Sequence, residues 1–211
     1  MESTYGGIDV LVNNAGFAYN RDATEPMHVQ AKDTIAINYY GTKRCCDALL
    51  PLLKDGSRVV TVSSSCGFLG RIQFPALKDK FASSDSTLQV SELDALMEDF
   101  IESAEAGNHS EKGWPDSTYV VSKVGLSALT RIQNREVQKS MGSKAGILIN
   151  HVHPGYVDTD MSSHKGPKTP QEGAAAAIYL ATLPPNSTLT GKYIWHDCQE
   201  VDWVNGPLPA V

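Results

Sequence analysis

Two short apolar runs, each ending in a cluster of small polar residues, constrain the fold of this chain more than any other feature. Residues 8–12 read IDVLV and precede NNAG at 13–16, and residues 57–62 read SRVVTV and precede SSSCG at 63–67. Runs without polar alternation are typical of strands buried on both faces of a parallel sheet. The loops after such strands lie where open α/β sheets bind ligands. For residues 13–16 alone, an ordinary Asn/Gly turn is an equally good interpretation.

Helical patterns alternate with these runs and indicate the fold class. Residues 27–54 have helical character, and Asp55-Gly56 is expected to close that helix. The later predicted elements are helices over 119–141 and 170–183 and strands over 145–153 and 192–195. The alternation predicts one α/β domain over residues 1–211, a partial Rossmann-like, doubly wound parallel sheet with flanking helices.

Residues 74–114 interrupt this alternation as an acidic insert. Nine acidic and three basic side chains fall within residues 78–112, so this stretch accounts for the whole net charge of −6. Apolar residues recur there at helical spacing, namely Leu93, Leu96, Met97, Phe100, Ile101 and Ala104. Ser91 is the expected N-cap of this helix and Gly107 the residue after its end. Packing on the domain core is favoured over docking of the helix into a partner's groove.

Composition and charge exclude several classes of function. The chain has 24 acidic and 18 basic residues, which argues against a nucleic-acid partner. It has no apolar run of membrane-spanning length and no secretory signal, so a cytoplasmic protein without membrane contact is expected. The four cysteines lack Cys-x-x-Cys spacing and are expected to be reduced thiols. His151 and His153 lack nearby carboxylate or thiolate partners, so no metal site is predicted.

The strongest chemical signal is a Tyr and a Lys four residues apart, Tyr119 and Lys123, where a helix is predicted to begin. This spacing places both side chains on one helix face. A free phenol titrates near ~10, and an ammonium group beside it lowers that pKa. A hydroxyl from Ser64 could hold the substrate oxygen that receives the proton, as in a carbonyl-reducing or alcohol-oxidising site. Taken alone, the spacing is weak evidence, and a solvated helix face is the better interpretation.

Taken in order along the chain, the motifs resemble those of the short-chain dehydrogenase/reductase family. They are NNAG at 13–16, Asn38 in INYYG, Ser64 in VSSS, Tyr119 with Lys123, and Pro154-Gly155. The insert before Tyr119 is similar to that of the monomeric carbonyl reductases of this family, and so is PGYVDTDM at 154–161. The resemblance implies a monomer that reduces a small carbonyl compound, a ketone, aldehyde or quinone, with NADPH.

The resemblance also implies roles for individual residues. Tyr119 would be the general acid, and Lys123 would lower the Tyr119 pKa and hold the nicotinamide ribose. Ser64 would orient the substrate carbonyl, Tyr156 would wall the substrate pocket, and Asn38 would support a proton relay through water. The residues implied in cofactor binding are Asn14, Ala15, Gly16, Tyr119, Lys123, Pro154, Gly155, Val157, Asp158 and Thr159.

The chain departs from the family at its front. A complete member begins with a strand and a Gly-x-x-x-Gly-x-Gly turn that holds the cofactor pyrophosphate, and this sequence contains no such motif. The N-terminal strands and the pyrophosphate site are therefore expected to be missing, so weak cofactor binding and weak or absent activity are expected of this form. The loss also leaves residues 8–12 as a sheet edge open to association with another chain. Two alternatives remain, a non-catalytic binding or regulatory form and a different short-chain alcohol or steroid dehydrogenase. His151 and His153 replace cysteines of some carbonyl reductases, so recognition of thiol conjugates is not expected.

Overall fold

One five-stranded sheet organises the computed structural model, which describes residues 6–20, 22–141 and 146–209. In their order across the sheet, the strands are β1 (Ile8–Asn13), β2 (Leu53–Val62), β3 (Leu148–Val152), β4 (Tyr193–Ile194) and β5 (Glu200–Val201). Strands β1 to β4 are parallel, whereas β4 and β5 are antiparallel. Thr61 pairs with Asn13 on one side and His151 on the other. The loops after β1, β2 and β3 therefore leave the sheet at the same edge.

In the part of the chain that the structure describes, six α-helices accompany the sheet. They are α1 (Met27–Ile35), α2 (Thr42–Leu49), α3 (Pro75–Ala82), α4 (Val90–Glu105), α5 (Thr118–Met141) and α6 (Pro170–Ala181). A π-helical turn, Ala36–Gly41, joins α1 to α2, and short 3₁₀ turns include Ser65–Gly67 and Asp160–Ser162. Within the described ranges, no helix combines the length and the apolarity that a membrane crossing needs.

Helices cover both faces of the sheet. On one face Leu11 packs in an apolar cluster that Val137 of α5 joins. On the opposite face Val60 and Val152 pack against Leu180 of α6. Each cluster removes apolar surface from water, at roughly 25 cal/mol per Å². The predicted α/β class with flanking helices is confirmed, while the antiparallel β5 was not predicted because two residues carry too little pattern.

The acidic insert forms α3 and α4 and packs on the domain. Leu93, Met97 and Phe100 of α4 are fully buried, and the helix lies against α1 and α5. The predicted amphipathic helix is confirmed. Its apolar stripe packs within this chain, so the alternative in which the stripe docks into a partner's groove is wrong.

The N-cap of α4 lies two residues before the predicted one. Gln89 is the N-cap, because its side chain and that of Glu92 satisfy each other's backbone N–H groups in a capping box. Ser91 is already inside the helix. Gly107 follows the helix end with φ +71°, as predicted.

Asp55-Gly56 does not close the helix that begins at Met27, so this prediction is wrong. The helix ends earlier, in a 3₁₀ turn over Leu50–Leu52 that contains Pro51, and Leu53 is already extended. Gly56, with φ +76°, lies inside β2, where the pairing with β1 is irregular. Since proline cannot continue a helical hydrogen-bond ladder, Pro51 was the better signal for the helix end.

Strand β1 was predicted to be buried on both faces, and this is wrong. It lies at one end of the described sheet, and Val10 and Val12 are each 44% exposed. Of its apolar residues, Leu11 and Ile8 are half-buried. Within the described ranges β1 has a strand neighbour on one side only, so the predicted exposed sheet edge is present.

Candidate active site

Four segments meet at the carboxyl edge of the sheet. They are the loops after β1, β2 and β3 and the first turns of α5. Side chains and backbone from these segments contact one another directly: Lys123 of α5 donates a hydrogen bond from Nζ to the Val62 carbonyl at the end of β2, at 3.0 Å. The sheet and α5 therefore bring together residues that the sequence separates by about sixty positions, as the parallel fold requires.

Asn38 fixes the loop after β1 to helix α5. It is fully buried in the π-helical turn that joins α1 and α2. Its Nδ2 donates to the Phe17 carbonyl at 2.8 Å and to the Ser122 hydroxyl at 2.9 Å, and its Oδ1 accepts from the Phe17 amide at 2.7 Å. Both protons of the Asn38 side-chain amide are used in these hydrogen bonds, so the side chain links the loop to the helix. The expected part of Asn38 in a proton relay stays a prediction.

Lys123 lies under Tyr119 with its ammonium group almost shielded from solvent. Its Nζ is 5.6 Å from the centroid of the Tyr119 ring, and the residue is 3% exposed. Burial disfavours the charged form and lowers the Lys123 pKa to about 8. A Cβ on Gly16 would lie 3.4 Å from this Nζ, so the absence of a side chain at residue 16 leaves space beside the ammonium group.

The Tyr119 phenol keeps its proton more firmly than the sequence predicted. Burial raises its pKa to about 12, although a hydrogen bond with Ser64 acts in the lowering direction. The expected lowering by Lys123 is absent from this arrangement. The pKa is not lowered because Lys123 Nζ donates its hydrogen bond to the Val62 carbonyl and lies over the Tyr119 ring, 5.6 Å from the ring centroid.

Ser64 begins the turn after β2 in an extended conformation, with φ −170° and ψ 163°. Its Oγ accepts a hydrogen bond from the Cys66 amide at 3.1 Å. Its own proton is therefore free for Tyr119 or for a substrate oxygen. Ser64, Tyr119 and Lys123 form one connected group, as the sequence predicted.

The loop after β3 carries the remaining predicted cofactor residues. Gly155 has φ +89°, and a Cβ there would lie 2.6 Å from the Lys168 side chain, so glycine is required. Val157 pairs with Lys168 in a β-bridge, and the Asp158 carboxylate contacts His164 Nδ1 at 2.6 Å. The Asp158 side chain is thus committed to the loop itself, which leaves its main chain for any cofactor contact.

The other predicted contact residues line this edge. Asn14, Ala15 and Tyr156 are exposed, with Tyr156 at 43%. Thr159 caps the 3₁₀ turn that follows it. Pro154 is half-buried next to Gly155. Their roles toward a cofactor or substrate remain predictions.

Three further residues contact the predicted group, and the sequence motifs did not assign them to it. Cys66 is close enough to raise the pKa values of both Tyr119 and Lys123. The Tyr193 hydroxyl donates to the Ser64 carbonyl at 2.7 Å, and the Ser65 amide donates to Nδ1 of His153 at 2.9 Å. All four cysteines are free thiols, and the described ranges hold no cluster of His, Cys, Asp or Glu suited to a metal ion.

Titration of Lys123 is expected to appear in the pH dependence of stability. Its pKa is about 8 in the folded chain and 10.5 when unperturbed, so between these values the unfolded state binds more protons and stability rises with pH. We expect the free energy of unfolding of the parent, relative to Lys123→Met, to increase from about pH 8 to about pH 10. Chemical denaturation at several pH values measures it. Lys139→Met, at an exposed position of the same helix, is the control, and a constant difference for Lys123→Met would contradict the prediction.

Comparison with known proteins gives a consistent relationship. Residues 1–78 match the family described as short chain dehydrogenase. Carbonyl reductase (NADPH) 1 of Sus scrofa is 41% identical over 204 residues, which cover 96% of this chain and 70% of that enzyme. The Homo sapiens enzyme of the same name is 43% identical over 189 residues, 89% of this chain and 67% of that enzyme.

Two solved plant enzymes share the fold. Salutaridine reductase from Papaver somniferum superposes with a TM-score of 0.79 and 26% identity, covering 93% of this chain and 75% of that one. Menthone neomenthol reductase from Mentha piperita gives a TM-score of 0.71 and 30% identity, covering 92% of this chain and 72% of that one.

Fold and site together define a Rossmann-like α/β protein with a Ser, Tyr and Lys group at the carboxyl edge of its sheet. The similarity over nearly the whole chain makes the relationship specific. The chain belongs to the short-chain dehydrogenase/reductase family.

Proposed function

We propose that this protein is an oxidoreductase that uses NADPH to reduce ketones, aldehydes or quinones to alcohols. The observation that carries the proposal is the buried contact of Tyr119 with Ser64 and Lys123 at the edge of the sheet. The 41–43% identity to carbonyl reductases (NADPH) 1 of Sus scrofa and Homo sapiens supports the same chemistry.

The residues present fit the nicotinamide end of such a cofactor. Lys123 places an ammonium group, and Gly16 leaves space, at the same point of the edge. Gly155 brings a bare backbone to the end of β3, next to Pro154. Lys123 would hold a ribose hydroxyl, and the stretches 14–16 and 157–159 would contact the nicotinamide. When bound, NADPH supplies the hydride that adds to the carbonyl carbon.

The protonation state of Tyr119 favours reduction over alcohol oxidation. With its pKa raised to about 12, the phenol carries its proton at neutral pH and can donate it to the carbonyl oxygen. Its O–H bond breaks as the new alcohol O–H bond forms, and the phenolate left behind lies beside the Lys123 ammonium group. The Ser64 hydroxyl orients the substrate oxygen, and Tyr156, exposed at the same edge, contacts the rest of the substrate.

We propose further that the protein acts as a monomer in the cytoplasm, on small molecules rather than on nucleic acid or membranes. The insert supports the monomer, since α4 covers surfaces of α1 and α5 that a neighbouring subunit would otherwise contact. The net charge of −6 supports the absence of a nucleic-acid partner.

A second candidate function is non-catalytic binding through β1. The exposed Val10 and Val12 favour it, because an unpaired apolar strand edge is a template for another strand. A binding form would associate through β1 without needing the proton of Tyr119.

NADPH binding and oxidation by the purified 211-residue chain test the proposal. We expect saturable binding, followed by loss of reduced nicotinamide absorbance when a quinone or an aromatic aldehyde is added. A chain that does not bind NADPH saturably would contradict the catalytic proposal. If the chain instead associated in a concentration-dependent manner and did not oxidise NADPH, the result would favour binding through β1.

A further inference from the structure

The peptide group that follows Ser64 is held at both ends by buried side chains. Its carbonyl, that of Ser64, accepts a hydrogen bond from the Tyr193 hydroxyl at 2.7 Å. Its N–H, that of Ser65, donates to Nδ1 of His153 at 2.9 Å. One side chain thus fixes each pole of a single planar unit. Rotation of this plane changes ψ of Ser64, so the two bonds fix the direction of the Ser64 Cα–Cβ bond relative to this peptide, and this direction sets the range within which the Ser64 hydroxyl can point.

His153 is suited to act as the fixed acceptor. It is 3% exposed, at the end of β3, and its ring centroid lies 4.3 Å from that of Trp195. Burial, with the neighbouring His196 and Lys168 acting in the same direction, lowers the His153 pKa to about 4. The ring is therefore neutral at physiological pH. Because Nδ1 accepts a hydrogen bond from the Ser65 amide, the proton of the neutral ring resides on Nε2.

Tyr193 is held equally firmly on the other side. It is fully buried in β4, and its ring stacks on that of His151 with centroids 4.9 Å apart and planes 17° apart. Burial raises its pKa far above the usual range, so the hydroxyl remains a donor. Trp203 extends the same support, donating from Nε1 to the Gly67 carbonyl at 2.6 Å.

We propose that His153 is a positioning residue which, with Tyr193, orients the Ser64 hydroxyl by clamping the Ser64–Ser65 peptide. The catalytic part of this inference rests on the proposed function, whereas the clamp itself does not. His153 touches no reacting atom; it acts through the backbone of Ser64. A neutral hydrogen-bond acceptor at residue 153 is then a requirement of the site in this chain.

Two substitutions distinguish the contribution of the hydrogen-bond acceptor of His153 from that of its ring. His153→Phe keeps an aromatic ring against Trp195 and removes the acceptor, whereas His153→Asn places Oδ1 near the position of Nδ1 and keeps it. His151→Phe is the matched control, because it keeps an aromatic ring against Tyr193 and because His151, an equally buried imidazole, makes no hydrogen bond to the Ser64–Ser65 peptide. Its substitution is expected to leave turnover unchanged.

Amide hydrogen exchange of Ser65, followed by NMR, tests the clamp without requiring turnover. We expect His153→Phe to accelerate Ser65 exchange, His153→Asn to restore protection, and exchange along β3 to stay unchanged in both. Equal Ser65 protection in the parent and His153→Phe would overturn the proposal.

Steady-state kinetics test the catalytic consequence. We expect His153→Phe to lower kcat roughly 10- to 100-fold, the scale of a misoriented catalytic group, with KM for NADPH unchanged and partial recovery in His153→Asn. Unchanged kcat in His153→Phe, or equal losses in His151→Phe, would overturn the positioning role. A parent chain without turnover would count against the proposed function alone, since Ser65 exchange still decides the clamp.

Discussion

Tyr119→Phe is expected to lower NADPH-dependent turnover roughly 10²- to 10⁴-fold, the usual contribution of a general acid. The substitution removes one oxygen and leaves the ring over Lys123, where Nζ lies 5.6 Å from the ring centroid. The carbonyl oxygen would then lose the phenol as its proton donor. Steady-state rates with a quinone and an aromatic aldehyde measure the loss, and NADPH binding is expected to weaken by no more than about tenfold, because the phenol oxygen contributes no more than one hydrogen bond.

The control for this prediction is Tyr179→Phe, which removes the same oxygen from an exposed tyrosine of α6. It is expected to leave turnover unchanged. If Tyr119→Phe retained the parent rate, the proton would come from another group, and the assignment of Tyr119 as general acid would be wrong. If Tyr119→Phe lost NADPH binding together with turnover, the phenol would serve binding rather than proton transfer.

The grouping of Ser64, Tyr119 and Lys123 could be predicted because each depends on local pattern. A β-branched run ending in serines places Ser64 at the end of β2, and a spacing of four places Tyr119 and Lys123 on one helix face. The parallel fold then brings the strand end and the helix start together. What spacing could not give is burial, which raises the Tyr119 pKa although an ammonium group lies nearby.

The clamp on the Ser64–Ser65 peptide could not be predicted for a different reason. His153 and Tyr193 bond to backbone atoms 88 and 129 positions away in the chain. Motifs record side chains at fixed local spacing, and a backbone partner leaves no mark in the sequence. Only the position of His153 at the end of a predicted strand could have suggested that it reaches the same edge as Ser64.

The errors in the fold also have physical causes. β1 was judged from its apolar residues, but burial depends on what lies beside a strand, and Val10 and Val12 have no neighbour on their outer side within the described ranges. Strand β2 begins earlier than the sequence predicts because Pro51 ends the preceding helix. The predicted end of that helix, Gly56, lies inside the strand. The spacing of apolar residues located the helices and strands. Their ends depended on which of two neighbouring helix-breaking residues came first in the chain.

Phe100→Ala is expected to destabilise the protein by about 3–5 kcal/mol, the usual cost of deleting a buried phenyl ring. Phe100 is fully buried in α4, and its ring centroid lies 5.4 Å from that of Trp114. Trp114 is itself fixed by a 2.8 Å hydrogen bond from Nε1 to the Asp99 carboxylate, so the surroundings cannot easily collapse into the space left. For a chain of about 200 residues this cost corresponds to a loss of roughly 6–20 °C in Tm, measured by thermal denaturation.

Ile101→Ala is the control, because Ile101 is the next residue of α4 and only half-buried. We expect it to cost less than half as much as Phe100→Ala, since less of its surface leaves water on folding. Comparable small losses in both variants would mean that the insert contributes little to the core, and would reopen partner docking as its purpose. A large loss confined to Phe100→Ala would show that the insert folds as part of the domain, so that the surface of α5 beneath it is closed to a second subunit.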